Sequence, residues 1–339
     1  MKKLILIFLF IAGIADAQYK IALIGDYGKN GSVNTLAVSQ LVKSWNPKRI
    51  VTLGDNSYSS NYLDDRDIGQ FYSQFIRVYK GSYRWNGYLS GSQDSSRFIP
   101  TLGNHDGYAY TLNYWYDYFG SAIDLVKSSG NRRYYNVKIG GMIEFFICNS
   151  AYGSAHKLYG NFDFEPDGID SNSIQAQWLK STMKNSTAKW KVVVMHHPPW
   201  SSVQPGYEDS YDILRWNFKL WGADVIMCGH NHVYERLVIQ SGNNAGLIVL
   251  VNGLGGEDKN PNIMPSYPGS QIQYLAEYGG QLMTVYPDSL NIRMITVTNY
   301  LVDNVTIKKG VGPPPPPPTV DSLKTLSDSV KVLWKKEFN

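Results

Sequence analysis

Two imidazoles, His230 and His232, stand two residues apart in Gly229-His230-Asn231-His232, directly after the apolar run from Ala223 to Cys228. In extended backbone that spacing turns both side chains to one face, so they can serve one metal ion or two neighbouring ones. Four further stretches are built the same way: Gly25-Asp26-Tyr27-Gly28, Gly54-Asp55-Asn56-Ser57-Tyr58, Gly103-Asn104-His105-Asp106 and Val193-Val194-Met195-His196-His197. Each polar cluster follows a β-forming run, and a glycine before the donor permits a sharp turn and close backbone approach. The donors are two carboxylates, a phenol, an amide oxygen and three imidazoles, a set that suits two adjacent cations with one carboxylate bridging. Two metals roughly 3.5–4 Å apart can clamp the attacking and leaving oxygens of a phosphoryl group and drop the pKa of a bound water toward ~7. Asp and neutral His ligate readily, whereas Tyr, with a free pKa of about 10, must first lose its proton. A tyrosinate ligand therefore asks for a hard, strongly Lewis-acidic ion, and ferric iron is the natural choice.

The elements that must position these residues show in the periodicity. Lys20 to Ile24 reads as a strand, and Val33, Leu36, Ala37, Leu41, Val42 and Trp45 then recur at helical spacing before Pro47. With the strand Ile50 to Leu53 they form a βαβ crossover, which implies parallel pairing and places both aspartates at carboxyl ends, where ligands gather. Tyr134 to Val137 and Met142 to Cys148 read as antiparallel strands joined through Gly140-Gly141. Ser173 to Met183 and Tyr211 to Trp221 read as helices, Trp190 to Met195 as a buried strand. Residues 59–97 form a Tyr-, Ser-, Gly- and Asn-rich insertion with helical spacing from Gln70 to Tyr79. Leu247 to Val251, Gln281 to Val285, Leu290 to Val297 and Val305 to Lys308 alternate without helices between them, which suggests a second, mainly antiparallel sheet.

The 339 residues allow one large or two small domains, and 43% hydrophobic with 18% charged is an ordinary globular balance. The net charge of +4 is spread without long runs, so neither nucleic-acid nor membrane binding is indicated. Lys2-Lys3, the apolar Leu4 to Ile14 and Ala15-Asp16-Ala17 read as a signal peptide over 1–17, with export to an extracellular or periplasmic space. That apolar run is too short to span a bilayer. Cys148 and Cys228 both lie in apolar strands and read as buried free thiols. A globular domain over 18–309 is followed by a Gly/Pro-rich linker, 310–318, containing Pro313 to Pro318, which is a stiff polyproline spacer. The tail 319–339 is too short for a domain of its own and reads as a tail or the start of a truncated segment, with no partner indicated.

In this order the five stretches resemble the calcineurin-like metallophosphoesterase pattern, and specifically its purple acid phosphatase branch: GDxG, GDxxY, GNH[DE], VxxH and GHxH. The resemblance covers about residues 19 to 308, and Tyr58 separates this branch from other metallophosphoesterases. It implies a four-layer αββα sandwich of two mixed sheets flanked by helices. It further implies Fe(III) on Asp26, Asp55, Tyr58 and His232, with Asp55 bridging to a divalent Fe, Zn or Mn on Asn104, His196 and His230. His105 would face the phosphate and protonate the leaving oxygen or stabilise the transition state, while a metal-bound hydroxide attacks phosphorus in line. The expected function is a secreted acid phosphatase acting on small phosphomonoesters. The same centre also suits a phosphodiesterase or nucleotide pyrophosphatase, the choice resting with the lid loops 59–97, 151–170 and 256–280. A non-catalytic phosphate-binding or adhesive protein is the reading from another class, and the intact ligand set counts against it.

Plant-type members carry an extra N-terminal β-sandwich; no such stretch precedes Asp26, and in that respect the chain looks like the small tartrate-resistant acid phosphatase type. His197 lies beside His196 but outside the motif register; it is a candidate for substrate contact, for support behind the ligands, or for simple exposure. Asp106 is expected to orient a neighbouring group. Glu235 and Arg236 are expected to pair with each other or to brace His232.

Overall fold

The computed structural model describes residues 19–29, 31–58, 69–72, 97–107, 112, 115–116, 119, 132–150, 167–203, 211–259 and 266–309. Two compact units divide the chain, Met1–Ile307 and Lys308–Asn339, and the second has only Lys308 and Lys309 among the described residues. The expected helix at 70–79 is described only as a single turn, α2 (Gly69–Tyr72); its remainder, the leader, most of the lid loops and the tail lie outside the described residues.

Strand β1 (Tyr19–Ile24) leads through helix α1 (Val33–Trp45) to β2 (Arg49–Thr52), and the two strands pair in parallel. Ser32 caps α1 by accepting from the amides of Asn34 and Thr35, and Asn46 ends it in left-handed backbone. The helix buries Val38, Leu41 and Val42, whereas Val33 and Leu36 face outward. The short β3 (Phe98–Ile99) extends the parallel set beyond β2. On the other side β1 pairs antiparallel with β11 (Gly279–Val285), which pairs antiparallel with β12 (Ser289–Thr296), and β13 (Leu301–Lys308) completes a six-stranded sheet.

The second sheet has seven strands in the order β10-β8-β9-β7-β6-β5-β4. Its members are β4 (Tyr135–Ile139), β5 (Ile143–Ile147), β6 (Trp190–Val194), β7 (Val225–Cys228), β8 (Tyr234–Val238), β9 (Ile248–Asn252) and β10 (Ser270–Tyr274). β5, β6, β7 and β9 run parallel, and β4, β8 and β10 join antiparallel. The late strands therefore do not form a sheet of their own. The strand at 248–252 enters the second sheet, and those at 279–285, 289–296 and 301–308 extend the sheet begun by β1. A strand buried on one face alternates wherever it pairs, as β12 does residue by residue, so alternation alone could not assign it to a sheet.

The inner faces meet in one core that joins Ile21, Leu23, Val51 and Met283 of the first sheet to Phe145, Val192, Val225 and Leu250 of the second. Ala22, Ile24 and Ile50 point the other way, onto Val38 and Val42 of α1. Phe146, Val193 and Ile226 likewise pack outward on α3 (Ile174–Asn185) and α4 (Phe218–Trp221). The layers run helix, sheet, sheet, helix, as the resemblance implies. Cys148 and Cys228 are buried and unbridged, as expected.

The helix expected over Tyr211 to Trp221 is broken into a 3-10 turn at Tyr211–Leu214 and α4. Trp216 is the cause: its ring is buried and its indole N–H donates to the Ile169 carbonyl at 2.9 Å, a position that continuous helix would not allow. Arg236 pairs with Asp303 rather than with Glu235, its Nε donating to Oδ2 at 2.7 Å, and the Tyr234 hydroxyl donates to the same oxygen at 2.7 Å. This cluster ties β8 to β13 across the two sheets. Removing the carboxylate leaves a half-buried guanidinium and a buried hydroxyl without their acceptor. Asp303→Ala is expected to cost about 3 kcal/mol in urea denaturation, and a loss below about 1 kcal/mol would show that the cluster behaves as a surface pair.

Candidate metal centre

The carboxyl ends of β1, β2, β3, β6 and β7 converge on one pole of the sandwich. Asp26, Asp55 and His230 all adopt positive φ there, at 56°, 51° and 68°, three of the five such non-glycine residues among those described. Backbone of this kind costs of order 1–3 kcal/mol per residue and persists only where the surroundings hold it. Here neighbouring loops do so. The Asp26 amide donates to Gly54 O at 3.2 Å and the Glu257 amide to Asp26 O at 3.1 Å. The His230 amide donates to Asp26 Oδ2 at 2.8 Å, and the His105 amide to Asp55 Oδ1 at 2.9 Å. A Cβ at Gly54 would lie 2.3 Å from His196 Nδ1, and one at Gly103 2.2 Å from Asp55 Oδ1, so the glycines before Asp55 and Asn104 let the loops touch.

Two triangles of donor atoms result. Tyr58 OH lies 3.0 Å from Asp26 Oδ1 and 3.1 Å from His232 Nε2, and these last two atoms are 3.3 Å apart. Asn104 Oδ1 lies 3.0 Å from His196 Nε2 and 3.1 Å from His230 Nδ1, which are themselves 3.3 Å apart. Asp55 Oδ2 is 3.3 Å from His196 Nε2, and donor atoms of Asp26, Asp55 and His196 fall within 4.8 Å of one another. Asp55 thus stands where the triangles meet.

The imidazoles are held with the right nitrogen inward. His196 Nδ1 donates to Leu53 O at 2.7 Å and His232 Nδ1 to Asp258 O at 2.5 Å, which leaves each Nε2 lone pair facing the site. His230 is turned the other way: Tyr211 OH takes its Nε2 at 2.7 Å, and Nδ1 faces inward. The charges are strained without a cation. Asp26 and Asp55 are fully buried, and among the described residues their ionic partners are imidazoles rather than lysine or arginine. Burial opposes ionisation of Asp55, yet His196 and His105 hold it well below the usual carboxylate range. Burial lowers His196 and His232, but Asp55 and Asp26 outweigh it and push each up to about 9. Burial drives the Tyr58 phenol well above its ordinary value, with Asp26 and Asp55 adding to the effect, so it can ionise only against a strong cation. Two buried carboxylates, a phenol and inward lone pairs are a donor set that fits metal ions.

All seven residues proposed from sequence as ligands come together here. His105 stands at the open side with its side chain 29% exposed, its Nε2 3.9 Å from Asp55 Oδ2 and its ring 4.4 Å from that of Tyr58. His197 is not exposed. It is fully buried, its Nδ1 lies 3.1 Å from Ser150 Oγ, and its ring packs 4.3 Å from that of His230. Asp106 accepts from the amides of Asn56, Ser57 and Gly103 and from Asn56 Nδ2, between 2.8 and 3.2 Å, and so locks the second and third loops together. Glu235 does not touch His232. It accepts from Ser201, Ser202 and Ser270, and Asn231 donates to Ser201 Oγ at 2.8 Å, so its support reaches the histidine pair through that serine. Sequence reading missed Tyr211, one of 25 tyrosines with no motif around it, and the Asp258 carbonyl, which no side-chain pattern marks.

Residues 19–234 match the calcineurin-like phosphoesterase family model, and the chain belongs to that family. It is similar to purple acid phosphatase 23 of Arabidopsis thaliana, 23% identical over 65% of this chain and 48% of the relative. It is also similar to the Fe(3+)-Zn(2+) purple acid phosphatase 12 of that plant, 24% identical over 65% of this chain and 44% of the relative. The fold is like that of purple acid phosphatase PPD1 from yellow lupin (Lupinus luteus) seeds, with TM-score 0.60, 14% identity, 86% of this chain and 54% of that one. The chain spans about half the length of these relatives.

The tyrosine that fixes His230 gives a direct test. Tyr211→Phe is expected to weaken cation binding in the Asn104–His196–His230 triangle by roughly 10-fold, read by chelator competition. The triangle containing Tyr58 should keep its affinity; equal weakening of both, or of neither, would leave Tyr211 a packing residue.

Proposed function

We propose that the protein is an exported dinuclear-metal phosphatase that hydrolyses small phosphomonoesters. The observation that carries the reading is the pair of donor triangles meeting at Asp55. Asp26, Asp55, Tyr58 and His232 would hold Fe(III), and Asn104, His196 and His230, with Asp55 between, a divalent Fe, Zn or Mn. Two cations so placed supply Lewis-acid stabilisation of the phosphoryl oxygens and a water of lowered pKa. The phenol supports iron in the first triangle, since partial burial and the nearby Asp26 and Asp55 keep it protonated unless a strong cation stabilises the anion. The iron–zinc relative is consistent with that pairing.

The side chains divide the remaining work. Next to Asn104, His105 would face the phosphate. A water oxygen bonds to phosphorus in line as the ester P–O bond breaks, and His105 hands a proton to the leaving oxygen. The hydrogen bond from its amide to Asp55 and its tilted ring contact with Tyr58 keep the imidazole at the rim, where an ester oxygen can reach it. His197, buried behind His230, supports that ring rather than the ester. Export rests on Lys2-Lys3 and the apolar run after them; among the described residues no helix is long and apolar enough to cross a membrane.

The test is a visible spectrum and metal analysis of purified protein, followed by assays on p-nitrophenyl phosphate and its bis ester. A broad charge-transfer band that disappears in Tyr58→Phe, with iron in the sample and the monoester preferred, is the expected result. Preference for the bis ester would move the assignment to a diesterase on the same centre. Metal-loaded protein that binds phosphate but cleaves neither ester would establish the non-catalytic binding reading instead. On phosphomonoesters, His105→Ala is expected to lower kcat by about 10²–10⁴-fold with metal content unchanged; wild-type turnover in that variant would exclude it as the proton donor.

A further inference from the structure

The first sheet carries a second convergence of like charge, at its other edge. Lys20 lies at the start of β1, Arg49 opens β2 directly after Lys48, and Arg97 immediately precedes β3. Because these strands are parallel, the four cations share the amino-terminal edge, while Asp26, Asp55 and Asn104 follow the carboxyl ends. The ladder sets their spacing. The Lys48 amide donates to Lys20 O at 2.8 Å, the Ile50 amide donates to Arg97 O at 2.9 Å, and Arg49 lies opposite Ile21. Neighbouring strands are about 4.8 Å apart, so the side chains emerge next to one another. With Tyr19 and Asn46 they line an open groove of about 490 Å³.

Several neutral groups touch these cations. Arg97 Nη1 donates to Asn46 Oδ1 and Pro47 O, both at 3.0 Å, and Arg49 Nη1 donates to Lys48 O at 3.0 Å. Lys48 Nζ sits 4.3 Å from the centre of the Tyr19 ring. Among the described residues no carboxylate forms an ion pair with Lys20, Lys48 or Arg49. Burial lowers the pKa of the Arg49 guanidinium, and the charge of Arg97 lowers it further. A half-buried arginine pressed against a second one, in a concave site, is an arrangement that an anion would relieve.

We propose that this groove binds an anion carrying several phosphate groups, such as a short condensed phosphate, at the pole opposite the metal centre. Guanidinium forks match phosphate oxygens in pairs, and lysines add point charge around them. The volume leaves room for more than one such group. A nucleic-acid strand is disfavoured, because Tyr19, the one aromatic ring lining the groove among the described residues, carries Lys48 over its face and offers no free stacking platform there. This site does not depend on the phosphatase reading, since none of its residues contributes to the metal centre.

Calorimetric titration of metal-loaded, full-length protein with inorganic tripolyphosphate tests it. Two binding events are expected, one abolished by chelating the metals and one retained. The retained event should weaken with added salt and should fall by roughly 10-fold for each cation removed in Lys20→Glu/Lys48→Glu. The milder Lys20→Gln/Lys48→Gln pair serves if the reversed variant melts early. Orthophosphate should bind the retained site more weakly than tripolyphosphate; equal affinity would reduce the ligand to a single phosphate group and overturn the multivalent claim. Absence of a retained event, or one indifferent to both double variants, would sink the proposal outright.

Discussion

Two carboxylates with almost no access to water, Asp26 and Asp55, set the terms for the rest of this structure. An isolated buried carboxylate is costly by several kcal/mol, and arginine or lysine is the ordinary remedy. The chain uses imidazoles instead, and imidazoles offer lone pairs when a cation arrives. A cation would remove two conflicts at once: the repulsion around Tyr58 and the protons that His196 and His232 hold only because the carboxylates are near. The ordering of these pKa shifts is therefore that of a site arranged around positive charge.

Holding such a site open requires rigidity behind it. The loops are joined directly, Asp106 fastening the β2 and β3 loops and Glu235 the segment after β6 to β8 and β10. Both carboxylates are spent on amides and hydroxyls, which fix position without competing for metal. Further out, Asp303 joins the sheets through Arg236 and Tyr234, so β8, which leaves the histidine pair, is anchored at both ends. Left-handed backbone at Asp26, Asp55 and His230 can persist because each is over-determined in this way.

Much of this was legible in the sequence, for physical reasons that also explain the gaps. Parallel strands buried on both faces read as unbroken apolar runs, and polar residues directly after them stand out; β1, β2, β6 and β7 and their donors were readable on that ground. β11, buried throughout, and the alternating β12 were readable as strands, as was β13, but none as a partner of β1, because neither an apolar run nor a two-residue period says which edge is joined. Trp216 broke a helix that propensity alone would continue, through a tertiary contact with Ile169. His197 shows the limit most clearly. Its place beside His196 left substrate contact, support and exposure all open, and packing against Ser150 and His230 removes only exposure.

The first sheet is electrically polar along its strands, and its parallel topology makes that possible. Chain direction puts every β1–β3 entry on one edge and every exit on the other. Acidic and imidazole donors collect at the exits, where loops can fold over a ligand, and lysines and arginines collect at the entries. Salt screens charges beyond about 10 Å, so the two poles act on their surroundings separately rather than on each other. The chain's modest net charge of +4 therefore conceals one pole of paired charges and one of clustered cations. At the exit pole the carboxylates are balanced by imidazoles, so attraction of anions there depends on bound metal, whereas the entry edge attracts anions whatever the metal content. Affinity for phosphate compounds in this protein should accordingly have a metal-dependent part and a metal-independent part, and their separation follows from strand direction alone.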